Sequence, residues 1–299
     1  RYLQALKAVL AMPDWSLVEQ HRRDAGLTLG NSMTPRPVGG GGISAAWRLG
    51  AEGKEIFLKT GSAAAADMFA AEAEGLTELA SANTVRVPKV LAMGVDEDIA
   101  FLALEWLPFE RAGSQCERLL GEQLADLHRT TRNRFGWHRD NTIGLTPQRN
   151  PWSADWIEFF RDHRLGFQLS LAARNGFTGE LQEQGARLIE RLPVIFGDFT
   201  PEASLLHGDL WGGNWACCGG QPVIFDPAVY YGDRETDLAM TRLFGGFGRV
   251  FYDAYESAWP LQHGSRKRND LYQLYHVLNH LNLFGGGYLS RALQLLKGL

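Results

Sequence analysis

Cysteine is scarce in this chain, with only Cys116, Cys217 and Cys218 among 299 residues. An odd count with one adjacent pair makes neither a disulfide framework nor a zinc-binding spacing. Buried free thiols in a reducing compartment, the cytoplasm, are therefore expected. Long apolar runs are also missing, and none approaches the ~20 residues of a membrane-spanning helix. Neither sign of charge dominates: 30 Lys and Arg stand against 34 Asp and Glu, a net charge of −4. That balance gives no global attraction to nucleic acid or anionic membrane, so neither is expected as a partner. The opening Arg1-Tyr2-Leu3-Gln4 has no initiator Met and no signal-peptide pattern, and it reads as a trimmed start. There is no internal repeat and no low-complexity tract. The 299 residues suit one large domain or two lobes with a cleft, and 45% hydrophobic with 21% charged residues is ordinary for a globular protein; the oligomeric state is left open, with a monomer favoured.

The spacing of apolar residues predicts two short helices between Tyr2 and Arg23, broken at Pro13-Asp14. A glycine-rich turn, Gly39 to Gly42, leads into a hairpin: Trp47-Arg48-Leu49, a turn over Gly50 to Lys54, then Glu55 to Lys59. A helix from Ala64 to Ala80 follows, then a strand from Ile99 to Leu104 that runs through Glu105-Trp106-Leu107 to Pro108. Beyond it helix dominates: one ending near His128, one from Trp152 to Asn175, one from Leu181 to Leu192, and more from Asp237 onwards. Two short strands interrupt this run around residues 205–225. The expected fold class is α+β, with a sheet-rich N-lobe over 1–107 and a larger helical C-lobe over 108–299.

The most informative letters are His207-Gly-Asp209-Leu-Trp-Gly-Gly-Asn214, followed by Phe225-Asp226-Pro227. Phosphoryl transfer from ATP needs a carboxylate to receive the acceptor's hydroxyl proton, and oxygen ligands for magnesium. An Asp, an Asn five residues later and a second Asp closing the next strand meet those needs. Asp209 is thus the candidate base, Asn214 and Asp226 the candidate metal ligands, and ATP with Mg2+ the expected cofactors. His207 is expected to order the loop rather than take a proton. Lys59 follows the glycine turn by one hairpin, where a phosphate-gripping lysine belongs. Glu72 lies on the apolar stripe of Met68, Leu76 and Leu79, and a carboxylate there requires a partner, for which Lys59 is the candidate. Glu74 and Glu78 are expected to be solvated. Gly39, Gly40, Gly41 and Gly42, with Lys59, Glu72 and Glu105, form the expected nucleotide-binding set. Gly40 to Ala45 also fits G-x-G-x-x-A, but prolines precede it and a strand follows, which is the wrong setting for a dinucleotide site. Gly53-Lys54-Glu55 lacks the hydroxyl residue of a Walker A loop. His276 and His280 share a helix face without a metalloprotease-type glutamate between them, so core histidines are expected. Asp233, Glu235 and Asp237 form an acidic cluster, read either as solvated helix N-terminal charges or as contacts to a cationic or polyol substrate. No long activation segment with Ala-Pro-Glu follows Asp226, which favours a small acceptor, or one functional group displayed on a macromolecule.

These stretches resemble the fructosamine/ketosamine-3-kinase family, related to the aminoglycoside and choline kinases. The resemblance also runs through Met68 to Leu76, Phe135-Gly-Trp137, Asp140 to Gln148, Asp155 to Phe160, Phe225 to Met240, and Leu274 to Gly285. It implies a bilobal protein-kinase-like fold and ATP-dependent phosphorylation of the C3 hydroxyl of a ketoamine, free or protein-bound. The product then sheds its sugar, which is deglycation repair. It further implies acceptor-side roles for Trp211 and Asp233. Ser44 stands where the family often has Asn, and the glycine turn carries no Cys, so no redox switch is expected there. A kinase for an aminoglycoside, choline or sugar, and a nucleotide-binding pseudokinase, are the alternatives.

Overall fold

The computed structural model describes residues 35–39, 44–51, 54–96 and 98–299. The two helices expected between Tyr2 and Arg23, and Gly40 to Gly42, lie outside the described residues.

Five antiparallel strands form the first sheet: β1 (Arg36–Pro37), β2 (Ala45–Ala51), β3 (Lys54–Ser62), β4 (Val90–Asp96) and β5 (Ile99–Glu105), in the order β1-β2-β3-β5-β4. β5 lies between β3 and β4, and its residues Ala100 to Leu104 are all buried. A strand covered on both faces needs no alternation, which is why its sequence reads as one apolar run. On one face Leu49, Ile56, Leu58, Phe101 and Ala103 make a small separate core. The other face, through Ala100, Leu102 and Leu104, joins the main core together with Phe69, Leu76 and Leu79 of α1 (Ala66–Ser81). The main core is continuous into the helical half, so the two parts are not independent hydrophobic units.

After the linker come α2 (Ser114–His128), β6 (Thr131–Arg132), the hairpin β7 (Asn141–Ile143) and β8 (Thr146–Gln148), α3 (Trp156–Phe160), α4 (Gly166–Arg174) and α5 (Glu180–Phe196). The helix expected over Trp152 to Asn175 begins at Trp156, capped by the Asp155 side chain on Glu158 N. It carries a π turn at Arg161–Leu165 between α3 and α4. β9 (Ala203–Leu206), fully buried, pairs with β12 (Tyr230–Gly232) and β6, while β10 (Trp215–Cys218) and β11 (Gln221–Ile224) form a hairpin. Helices α6 (Glu235–Leu243), α7 (Arg249–Ala258), α8 (Ser265–Phe284) and α9 (Leu289–Gly298) complete the chain. At Gly121 any Cβ would overlap the Phe251 carbonyl, so α2 and α7 owe their close approach to that glycine. Among the described residues, no helix is long and apolar enough to cross a membrane.

The structure corrects the expectation of three free thiols. Cys116 on α2 and Cys217 on β10 are joined as a disulfide with Cα atoms 6.3 Å apart, and only Cys218 is free. The spacing in sequence, 101 residues, hid a pairing that exists only because the β10–β11 hairpin packs beside α2. Cross-linking a loop of that length restricts the unfolded chain, an effect of about 5 kcal/mol on chain entropy alone. We expect thiol titration of the unreduced, unfolded protein to find Cys218 alone, and reductant to lower the melting temperature of the wild type but not of Cys116→Ser.

Candidate active site

β3 delivers Lys59 into the interior, where its Nζ lies 2.7 Å from Glu72 Oε1 and 2.6 Å from Asp226 Oδ1. Three segments distant in sequence therefore meet at one ammonium group. Burial alone would lower the Lys59 pKa, but the carboxylates of Asp226 and Glu72 more than reverse this and hold it charged, above the ordinary lysine value. Glu72 is placed by the stripe that buries Phe69 and Leu76.

Glu74 and Glu78 stay partly exposed, but they are paired rather than free in solvent. Glu74 pairs with Arg139 and accepts from His138 Nε2 at 2.6 Å, while Glu78 accepts from Tyr231 Oη at 2.5 Å. Helical periodicity showed that they leave the Glu72 face, but not that another segment waits on theirs.

The loop after β9 is held from behind. Asp237, at the start of α6, accepts His207 N at 2.7 Å and Gly208 N at 2.8 Å, and faces His128 Nε2 at 3.2 Å. Burial would raise the Asp237 carboxyl, but its hydrogen bonds to the charged form bring it below the usual carboxylate range. Burial likewise lowers the His128 pKa, so the neutral ring donates Nε2–H to Asp237 and accepts from Tyr255 Oη at 2.8 Å. His207 accepts Asp209 N–H on Nδ1 and donates Nε2–H to Phe225 O at 2.9 Å, which fixes its tautomer; burial lowers its pKa. It orders the loop. At Gly208, φ is +83° and a Cβ would overlap the Ala228 carbonyl oxygen, so Gly208→Ala is expected to abolish turnover, checked by assay on folded protein.

Asn214 Nδ2 donates to Asp209 O at 2.9 Å and reaches Asp226 O at 3.4 Å, tying both loops together and leaving its amide oxygen as the free acceptor. Asp226 takes φ 57°, a left-handed backbone that a non-glycine residue adopts at a cost of ~1–3 kcal/mol. The bonds Phe225 N to Asn214 O, at 3.0 Å, and Ala228 N to His207 O, at 2.8 Å, hold it there. Burial first, then the negative charges of Asp226 and Asp237, push the Asp209 carboxyl well above the usual range. The set of a carboxylate, an amide oxygen and a second carboxylate is hard-oxygen chemistry, suited to magnesium.

Of the other expected residues, Gly39 is exposed and Gly40 to Gly42 are outside the described residues. The Glu105 carboxylate is taken by Arg86 at 2.8 Å and Lys89 N at 3.3 Å, which leaves its side chain a structural role at the lobe linker. Trp211 is 41% exposed beside Asp209, its ring laid over Gly213, where no Cβ would fit. Asp233 is not on the acceptor side. It is fully buried, accepts from Tyr272 Oη at 2.5 Å and from Glu235 N at 3.0 Å, and burial with the neighbouring Glu235 raises its pKa to about 7. Glu235 pairs with buried Arg268 at 2.8 Å. The acidic cluster is therefore neither solvated nor substrate-facing: each member organises the core behind the loop. His276 is buried, and burial lowers its pKa to about 3, while His280 meets Phe244 with tilted rings, centroids 4.6 Å apart. Among the described residues no three His, Cys, Asp or Glu side chains cluster as a metal site of their own.

Sequence reasoning missed a buried amide chain. Gln148 Nε2 donates to Ala228 O at 3.0 Å and to Asn141 Oδ1 at 2.9 Å, and Asn141 Nδ2 donates to Val229 O at 2.8 Å. Tyr275 Oη and Asn150 complete it. The β7–β8 hairpin thus buttresses the turn immediately after Asp226. The only signal was the run Asp140 to Gln148, which carries two amides at a spacing that means nothing until the hairpin closes.

A family model described as fructosamine kinase matches residues 15–299. A probable ketoamine kinase of Synechocystis sp. is 46% identical over 264 residues, 88% of each chain. The chloroplastic protein-ribulosamine 3-kinase of Oryza sativa subsp. japonica is 41% identical over 263 residues, 87% of this chain and 76% of that one. A putative fructosamine-3-kinase from Haemophilus somnus superposes with a TM-score of 0.87 at 26% identity, covering 99% of both chains. The aminoglycoside phosphotransferase APH(4)-Ia shares the bilobal kinase-like fold, with a TM-score of 0.62 at 15% identity over 89% of this chain and 94% of that one.

Proposed function

The chain belongs to the fructosamine kinase family, and from that premise we propose that it is an ATP-dependent kinase phosphorylating the C3 hydroxyl of ketoamines, free or on protein. The observation that carries this reading is the meeting of Lys59, Glu72 and Asp226 beside the Asp209–Asn214 loop, in a chain 46% identical to a probable ketoamine kinase.

Lys59 grips the α- and β-phosphates of ATP, and Glu72 fixes its amine. Asn214 and Asp226 would hold Mg2+, which supplies charge neutralisation at the phosphates when bound. Asp209 accepts the proton of the acceptor hydroxyl as its oxygen bonds to the γ-phosphorus and the bond to the β-phosphate oxygen breaks, releasing ADP. Trp211, exposed beside Asp209, packs against the acceptor sugar. Phosphorylation at C3, next to the C2 carbonyl, leaves a product that loses its sugar and frees the amine.

Mass spectrometry after incubating ribosylated and fructosylated lysine with ATP tests this. One added phosphate on either adduct, none on unmodified lysine, is the expected result. Phosphorylation of an aminoglycoside, choline or a free sugar, with the adducts untouched, would replace the acceptor class.

A further inference from the structure

Behind α1, on the side away from Lys59, the segments flanking the β7–β8 hairpin and His163 of the π turn line an open cavity of about 440 Å³. Successive helical residues turn by about 100°, so Glu72 and Glu74 face nearly opposite directions. Glu72 meets the nucleotide lysine, and Glu74 meets the cavity wall. Trp137, His138, Arg139, Arg149, Trp152 and His163 line it.

The lining has unspent donors. Among the described residues, no hydrogen bond or ion pair is made by the Arg149 guanidinium or the His163 ring nitrogens. Trp137 is 2% exposed and its indole N–H has no partner there either. Trp152, 37% exposed, presents an aromatic surface. One carboxylate, Asp140, also lines the cavity, with one oxygen accepting Asn150 N–H at 2.8 Å. Free cationic and N–H donors next to two indoles are the chemistry that holds an anionic group on a sugar-like body, and the volume is in the range of a small-molecule site.

We propose that this cavity is an effector site for a small sugar phosphate, held by Arg149 and His163 and reported to the nucleotide site through α1. The link is on the wall. Arg139 bridges Glu74 and Asp67, the latter at 2.5 Å, and His138 is bonded to Glu74. An anion entering the cavity competes with Glu74 and Asp67 for Arg139 and His138. That loosens the helix carrying Glu72, so the effector weakens ATP binding, and by linkage ATP weakens the effector's binding by the same factor.

Isothermal calorimetry on the whole chain tests this without using catalysis, so the outcome is independent of the acceptor assigned above. The probes are ribose 5-phosphate, inorganic phosphate and ribose, titrated with and without ATP and magnesium. Expected are saturable binding of ribose 5-phosphate, weaker binding of inorganic phosphate and none of ribose. Arg149→Gln, at an exposed residue, is expected to weaken ribose 5-phosphate by roughly 10–100-fold while leaving ATP affinity unchanged. In the wild type, saturating ribose 5-phosphate is expected to weaken ATP by about fivefold or more. Equal binding in Arg149→Gln would put the ligand in the nucleotide cleft and overturn the site. Absence of saturable binding, or ribose binding as well as its phosphate, would also overturn it. Arg149-dependent binding with unaltered ATP affinity would overturn the coupling.

Discussion

Asp209→Ala is expected to lose about 10²–10⁴ in kcat, the usual cost of removing a positioned base. The same variant is expected to keep or gain stability in urea unfolding. Among the described residues, the only side-chain partner of the Asp209 carboxylate is Asn214, at 3.5 Å, whereas burial and the charges of Asp226 and Asp237 all work against its ionised form. Removing it relieves repulsion without orphaning a donor, since Asn214 Nδ2 keeps its bond to the Asp209 backbone oxygen. Asp226→Ala is expected to abolish turnover too, through loss of a proposed Mg2+ ligand and of one of the two carboxylates that pair with Lys59. Near wild-type turnover in folded Asp209→Ala would refute its assignment as the base, and a collapse of stability would show the carboxylate to be structural.

Asp237→Ala is expected to fail in the opposite way, through the fold. It would strand two buried backbone N–H groups, at His207 and Gly208, and the Nε2–H of His128. Each unsatisfied donor costs about 1–3 kcal/mol, so urea unfolding should register a loss of several kcal/mol together with loss of turnover. Asp237→Asn is expected to fall between, because an amide offers one acceptor where two oxygens now accept. If Asp237→Ala unfolded at the wild-type urea concentration, the loop would have to be held by something other than this carboxylate.

The contrast between these two aspartates measures how far the sequence could be read. Asp209, Asn214 and Asp226 stand at a spacing dictated by phosphoryl-transfer chemistry, and the pairing of Glu72 followed from an acidic residue on an apolar stripe. Asp237 and Asp233 carried no such signature. Two acids near a helix start look alike whether they cap it, meet solvent or support a loop from behind, and only packing against β9 and Tyr272 separates the cases. Glu74, Glu78 and Gln148 were illegible for the same reason, because their partners lie 64, 153 and 80 positions away. The order of strands and helices was legible because hairpin turns and apolar periods are local. The Cys116–Cys217 link was not, since it depends on which helix a hairpin happens to touch.

The side chains of α1 have a mechanical consequence. Glu74 and Glu78 bolt it to Arg139, His138 and Tyr231, and Gly75 lets it approach so closely that an added Cβ would sit 3.1 Å from Val229. The helix is thus tied to the half of the molecule that follows it in the chain as well as to the strands it packs on. Held from both sides, α1 acts as a keel: a side chain lost from either flank is felt at the Lys59–Glu72 pair.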